Sequence, residues 1–188
     1  MLAYIFWHRP FPHIDREAYE AAIVRFQSDL AGQKPPGFIA AASLRIEPVP
    51  WLTGLPGYED WYLLEASWAM DPLNDFAIAG RMQPSHDNVA AQMEEGHGGL
   101  YAHVDAHVGG ATPQAAESTL YWLTRPRGIQ WQAALASVRA KCPRANIWRR
   151  QMVLGPAAEF AVDAPDHDEI EVPSGWQSRR VRRVRLVK

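Results

Sequence analysis

A strand-and-helix opening that occurs twice constrains the fold of this chain more than any other feature. The segment "IFWHRP" at 5–10 is matched by "YWLTRP" at 121–126. After each segment, apolar residues recur at i, i+3, i+4, i+7 and i+11, the spacing of one helix face. These two stripes are Tyr19, Ala22, Ile23, Phe26 and Leu30, and Trp131, Ala134, Leu135, Val138 and Cys142. We therefore interpret the sequence as an internal duplication with a shorter loop in the second copy.

The order of predicted elements is βαββαβ in the first half. Strands are predicted at 3–9, 38–47, 58–68 and 100–108. One helix begins after the N-cap Asp15. A second helical region begins at Asp71-Pro72, breaks at Pro84 and resumes over 86–95. The "GHGG" segment at 96–99 is predicted to be a turn. The second half shows strands at 146–154, 158–163 and 180–187 but only one helix pattern, so we predict units 1–110 and 118–188, the second without its second helix.

A βαββαβ unit forms a four-stranded antiparallel sheet with both helices on one face, and the bare face needs a cover. With the "IFWHRP" and "YWLTRP" segments, the chain resembles the dimeric α/β-barrel superfamily of the ferredoxin-like fold, in its fused two-copy form. The resemblance implies an α+β fold with two antiparallel sheets packed face to face around a cavity. Members include antibiotic-biosynthesis-type monooxygenases, EthD-like proteins, chlorite-dismutase-like haem enzymes and muconolactone isomerases, and fold alone selects none of them.

The segment "YAHVDAHV" at 101–108 alternates polar and apolar residues along one predicted strand. Because successive side chains of a strand point to opposite faces, Ala102, Val104 and Ala106 are predicted beneath helices. The opposite face, with Tyr101, His103, Asp105 and His107, is then predicted to line the cavity between the sheets.

The other strands of the first half are assigned by the same alternation. Ala40, Ala42, Leu44 and Ile46 are predicted on the helix side, so that Ser43 and Arg45 face the cavity. The faces predicted to line the cavity on the first and third strands carry Tyr4, Phe6 and His8, and Trp61, Leu63 and Glu65. The antiparallel strand order then predicts one cluster of His8, Trp61, Tyr101 and His103, with Asp105 and Glu65 nearer the middle.

These residues predict a pocket for a small apolar or aromatic molecule, because apolar walls with a few convergent polar groups are typical of such sites. Catalytic roles are predicted for His103, Asp105 and His8, since histidine titrates near neutrality. Ligand contacts are predicted for Trp61, Tyr101, Glu65, Phe6, Arg45 and His107. The resemblance implies a cofactor-independent, monooxygenase-like or isomerase-like transformation. The alternative is a non-catalytic ligand-binding or interaction module whose polar groups satisfy one another.

A metal site on the 101–108 strand is limited by distance. Positions i and i+2 lie ~6.6 Å apart and i and i+4 ~13 Å apart, so one ion cannot easily join His103 and His107. A metal site would need the His103–Asp105 pair together with His8 or Glu65. We predict no cofactor and no metal, and a haem or metal protein using His103 or His8 is the second alternative.

The composition restricts partners and compartment. A net charge of −2 favours neither nucleic acid nor an anionic membrane surface. One cysteine excludes an internal disulfide, and the N-terminus has no basic segment of a secretion signal, so a cytoplasmic protein is expected. Trp51, Leu52 and Leu55 of the 48–57 loop fit a lid over the cavity or a homodimer contact equally well.

Overall fold

A computed structural model of the chain describes residues 1–104, 115–152, 154–163 and 170–186. Asp105, Ala106 and His107 of the predicted 100–108 strand lie outside this part. The strands are β1 (Leu2–Pro10), β2 (Phe38–Ile46), β3 (Gly57–Leu64), β4 (Met93–His103), β5 (Glu117–Thr124), β6 (Asn146–Arg150), β7 (Phe160–Asp163) and β8 (Gln177–Arg185). The α-helices are α1 (Arg16–Gln33), α2 (Met70–Ile78), α3 (Gln83–Ala90) and α4 (Trp131–Lys141).

The eight strands form one closed antiparallel barrel in the order β1-β3-β2-β8-β5-β7-β6-β4. The α+β class is confirmed, but the expectation of two separate sheets packed face to face is wrong. The strands of the two halves pair edge to edge, β2 with β8 and β4 with β6. Closure pairs the outermost strands, which would otherwise leave unpaired backbone groups.

Both copies of the repeated sequence opening form a strand followed by a helix. The Asp15 side chain accepts a hydrogen bond from the Ala18 backbone N–H at 2.9 Å and caps α1, and the predicted apolar stripe of α1 is buried. In the described part of the second half, α4 is the one helix, and Ile170, Val172 and Trp176 pack beside it on the barrel wall. The division into units 1–110 and 118–188 stays a prediction.

The barrel interior is identified by a buried cluster that draws side chains from all eight strands, including Ile5, Trp7, Leu44, Trp61, Tyr101, Leu120, Trp122, Trp148, Ala161 and Val181. Trp51 of the 48–57 loop packs edge-on against Trp7 and Trp122. This loop therefore covers one end of the barrel. Leu55 of the same loop is exposed, and the homodimer contact stays a prediction.

Two predicted strand faces are reversed in the structure. Ala3, Ile5 and Trp7 of β1 point inward, so Tyr4, Phe6 and His8 lie on the outer wall beneath helices. On β2, Ala42, Leu44 and Ile46 point inward, and Arg45 reaches Glu20 of α1 outside. The inner faces of these strands fill the barrel and their outer faces pack against helices, so alternation alone could not tell the two faces apart.

The segment 93–99, predicted as a helix end and the "GHGG" turn, is the first part of β4. Its glycines lie under aromatic rings: a Cβ on Gly96 would be 2.7 Å from the Phe6 ring, and one on Gly98 2.6 Å from the Tyr4 hydroxyl. Glycine in a strand marks such close approaches. No helix among the described residues is long and apolar enough to span a membrane.

Candidate functional site

A pocket of about 280 Å³ lies between the outer barrel wall and helices α1, α2 and α3. Its walls are largely apolar and include Phe6, Phe26, Leu30, Leu73, Val89 and Met93. The polar or titratable side chains in its lining are Tyr4, His8, Asp60, Tyr62, Asn74 and His86. An apolar cavity with a few convergent polar groups is the usual form of a small-molecule site.

The floor of the pocket is the outer face of strands β1 and β3, and alternation along these strands determines which of their polar side chains face the pocket. Tyr58, Asp60 and Tyr62 point outward on β3, while Glu59 and Trp61 point into the barrel. In the β1–β3 register, Asp60 lies opposite Phe6 and Tyr58 lies opposite His8. His8 and Asp60 are therefore diagonal neighbours on the same wall.

His8 and Asp60 form a buried pair at this floor. The His8 Nε2 lies 3.3 Å from the Asp60 Oδ2, and the His8 Nδ1 lies 2.7 Å from the Tyr19 hydroxyl of α1. The Tyr62 hydroxyl donates to the Asp60 Oδ2 at 3.2 Å. The imidazole is 1% exposed and stacks between the Phe6 and Tyr58 rings, which fixes its orientation.

Two polar atoms of this pair have no hydrogen-bond partner among the described residues. They are the His8 Nε2 and the Asp60 Oδ1. The His8 Nε2 lies within ion-pair distance of the Asp60 Oδ2, but the two atoms are not aligned for a hydrogen bond. Buried polar atoms are nearly always hydrogen-bonded, so each exception calls for a specific explanation. Both residues line the pocket, where a bound molecule would supply the missing partner.

The tyrosines around the pair keep their protons. Burial, reinforced by the negative charge of Asp60, raises the pKa of Tyr4, Tyr19 and Tyr62 above the ordinary value. At neutral pH the Tyr19 hydroxyl can therefore donate to the His8 Nδ1. The proton of a neutral His8 then sits on Nε2, which faces the acceptor Asp60.

The predicted four-residue cluster does not form. Phe6 and His8 line the outer pocket, whereas Trp61 and Tyr101 lie inside the barrel. His103 packs against Trp148 with ring centroids 4.6 Å apart, and burial lowers the pKa of its imidazole. The prediction for the described part of the 101–108 strand is confirmed, because Tyr101 points inward and Val104 packs in the α4 cluster.

The remaining predicted site residues lie apart from this pocket. Glu65 is exposed just beyond the end of β3, and Arg45 pairs with Glu20 at 3.2 Å on the outer wall. Asp105 and His107 lie outside the described residues. The catalytic and ligand-binding roles of these residues and of His103 stay predictions.

The barrel interior holds a buried ion pair that the sequence did not reveal. Glu59, fully buried, accepts indole N–H bonds from Trp7 at 2.9 Å and from Trp61 at 2.7 Å. The Arg183 Nη1 lies 3.7 Å from the Glu59 Oε1. Burial raises the pKa of Glu59, against the opposing effects of the Arg183 charge and the indole hydrogen bonds. The interior is thus occupied by aromatic rings and mutually paired charges.

The part of the chain that the structure describes contains no cluster of side chains arranged to bind a metal ion. There, no group of three or more His, Cys, Asp or Glu side chains is close enough to hold an ion. The two histidines named for the haem or metal alternative, His8 and His103, lie on opposite sides of the barrel wall. That alternative stays a prediction.

Comparison with solved structures shows proteins of the same architecture. A "Putative monooxygenase" from Fusobacterium nucleatum aligns over 99% of this chain and 92% of its own, with a TM-score of 0.61 and 8% identity. A second, from Lactobacillus acidophilus, aligns over 99% and 94%, with a TM-score of 0.58 and 8% identity. An anthrone oxidase-like protein aligns over 97% and 91%, with a TM-score of 0.50 and 10% identity.

These structures share the fold of this chain. At identities of 8–10% this likeness shows the fold alone, a fold of the kind that the sequence resemblance implies. No family model and no curated protein sequence matches the chain.

Proposed function

We propose that the outer pocket binds a small apolar, aromatic or polyketide-like compound and removes a proton from it, as the first step of an oxygen-dependent oxidation without a cofactor. One observation carries the proposal: the His8 Nε2 and the Asp60 Oδ1 are buried, lack hydrogen-bond partners among the described residues, and belong to residues that line an apolar cavity. A ligand O–H group, or an acidic C–H together with the carbonyl oxygen that carries the charge of its anion, would satisfy both atoms.

In the proposed reaction Asp60 accepts a proton and His8 donates a hydrogen bond. The Asp60 Oδ1 takes the proton from the substrate, and the Nε2–H of His8 donates to the anion that forms. Tyr62 and Tyr19 hold the two groups in place. Positioned proton transfer of this kind contributes roughly 10²- to 10⁴-fold to a rate.

The names of the structural neighbours support molecular oxygen as the oxidant. For an activated methylene, the balanced reaction converts CH₂ and O₂ into C=O and water. The substrate carbon loses two hydrogens and is oxidised, one oxygen atom enters the product, and the other leaves as water. The volume of about 280 Å³ lies just below the usual range of ligand sites, which favours a compound of few rings.

Anthrone with dissolved oxygen tests this proposal. Oxygen uptake and anthraquinone absorbance are followed with the wild type, Asp60→Asn, His8→Gln and the surface control Asp29→Asn, against the uncatalysed rate. We expect catalysed uptake with equal amounts of quinone and oxygen, and a loss of roughly 100-fold or more for Asp60→Asn, while Asp29→Asn keeps the wild-type rate.

An Asp60→Asn variant that folds and keeps the wild-type rate would contradict the catalytic role. Anthrone that binds without any turnover by the wild type would favour the alternative, a non-catalytic ligand-binding module. Melting temperatures recorded for every variant separate lost chemistry from lost folding.

A further inference from the structure

We infer that the ligand carries a second, uncharged hydroxyl-type group at the end distant from the His8–Asp60 pair, where His86 and Asn74 recognise it. The inference rests on the proposed function, because it concerns the same pocket. It goes further by specifying a substrate class: an elongated apolar body with a hydrogen-bonding group at each end.

The rise along helix α1 gives the distance between the two ends of the pocket. Tyr19 contacts His8 at 2.7 Å, and the Phe26 ring lies edge-on to His86, with centroids 6.1 Å apart. Tyr19 and Phe26 are seven residues apart on the same helix face, which corresponds to a rise of about 10 Å. His8 and His86 line the same pocket, so a molecule that fills this pocket reaches from His8 to His86.

The two ends differ in exposure. His8 is 1% exposed at the floor, whereas the His86 side chain on α3 is 35% exposed. Asn74 lies on α2 and also lines the pocket. The His86 end is therefore the mouth, and a polar group placed there need not be desolvated completely.

The chemistry at the mouth selects a neutral partner that both donates and accepts. The His86 Nδ1 lies 3.0 Å from the Asp87 carboxylate, which is an acceptor, so in the neutral imidazole Nδ1 carries the proton and Nε2 accepts. The Asn74 amide donates one N–H to the Asp75 carboxylate at 3.5 Å and has a second N–H that can donate to the ligand. A hydroxyl can donate to Nε2 and accept from the amide, whereas an anionic group would meet the negative charge of Asp87.

Two matched probes test this: 4-phenylphenol, with one hydroxyl, and 4,4′-dihydroxybiphenyl, with a hydroxyl at each end of the same linked rings. Affinities are measured by calorimetry for the wild type, His86→Phe, Asn74→Ala and the pocket-filling variant Ala77→Trp. His86→Phe keeps a ring against Phe26 and removes the nitrogens. Melting temperatures show that each variant folds.

The wild type should bind the dihydroxy probe about fivefold more tightly, more than the about twofold statistical advantage of a symmetric molecule. His86→Phe should reduce that ratio to the statistical value, and Asn74→Ala should reduce it in part. Ala77→Trp should weaken both probes.

A wild-type ratio at or below the statistical value, or a higher ratio that persists in His86→Phe, would overturn the inference and leave the pocket as a binding site. Failure of both probes to bind the wild type, or full binding by Ala77→Trp, would overturn the proposed pocket and the inference with it. The two failures are therefore distinguishable.

Discussion

The carboxylate of Asp60 lies 3.3 Å from the imidazole of His8 on the outer wall of the barrel. The two residues come from neighbouring strands, and each is oriented by a tyrosine, His8 by Tyr19 and Asp60 by Tyr62. Three helices cover this part of the wall but leave a pocket between themselves and the pair. The paired polar groups of the candidate site therefore lie on the helix side of the barrel wall.

Tyr19→Phe should lower the free energy of unfolding by about 1–3 kcal/mol, because it leaves the buried His8 Nδ1 without its donor. The matched control is Tyr4→Phe, which removes a hydroxyl from a neighbouring wall position and should change stability by less than about 0.5 kcal/mol. Urea denaturation measures both. Equal effects of the two substitutions would show that the Tyr19 hydroxyl does not support His8.

Glu59→Gln should cost about 3–5 kcal/mol, because it breaks a buried ion pair and leaves one indole N–H facing an amide N–H. Combined with Arg183→Met, much of that loss should be recovered, since no uncompensated charge then faces position 59. The free energies of unfolding of both single variants and the double variant give the coupling energy. A coupling energy near zero would mean that Asp163, 3.3 Å from the Arg183 Nη2, alone compensates the arginine.

His103 should make the protein less stable as the pH falls below about 6.5. Burial lowers the pKa of the folded imidazole, so in this range the unfolded chain binds a proton that the folded chain does not, and stability rises with pH. His103→Gln should flatten this slope between about pH 7.5 and about pH 5. The exposed control His13→Gln should keep it, and a slope unchanged by His103→Gln would contradict the assignment.

Glycine-to-alanine substitutions should have opposite effects at two positions. Gly99→Ala should destabilise by about 1–3 kcal/mol through overpacking, because its Cβ would lie 2.9 Å from the Trp7 ring. Gly32→Ala in α1 meets nothing within 4 Å and should stabilise by about 0.5–1 kcal/mol. Thermal unfolding measures both, and a harmless Gly99→Ala would argue against the close packing of β4 on Trp7.

The element order of the first half, the cap at Asp15 and the buried stripe of α1 were predictable, because local periodicity determines them. The start of β4 was not, because glycines in sequence indicate turns, and here they accommodate rings from β1. This signal appears only when the aromatic residues at positions 4, 6 and 7 are considered together with the glycines.

The candidate site was predictable only in part. His8 and Phe6 were selected, but their face was reversed, because tryptophans inside the barrel and aromatic residues beneath the helices make both faces of β1 apolar. Asp60 and Tyr62 were missed, although Tyr58, Asp60 and Tyr62 alternate along β3 with Glu59 and Trp61. Tyr19 belonged to the predicted helix stripe, and nothing local indicated that its hydroxyl reaches a histidine.

A crystal structure of the protein soaked with 4-phenylphenol tests the central claim most directly. The account predicts the rings between α1 and the outer wall, with the phenol oxygen within hydrogen-bond distance of the His8 Nε2 or the Asp60 Oδ1. Electron density for the probe inside the barrel, beside Trp61 and His103, would contradict it.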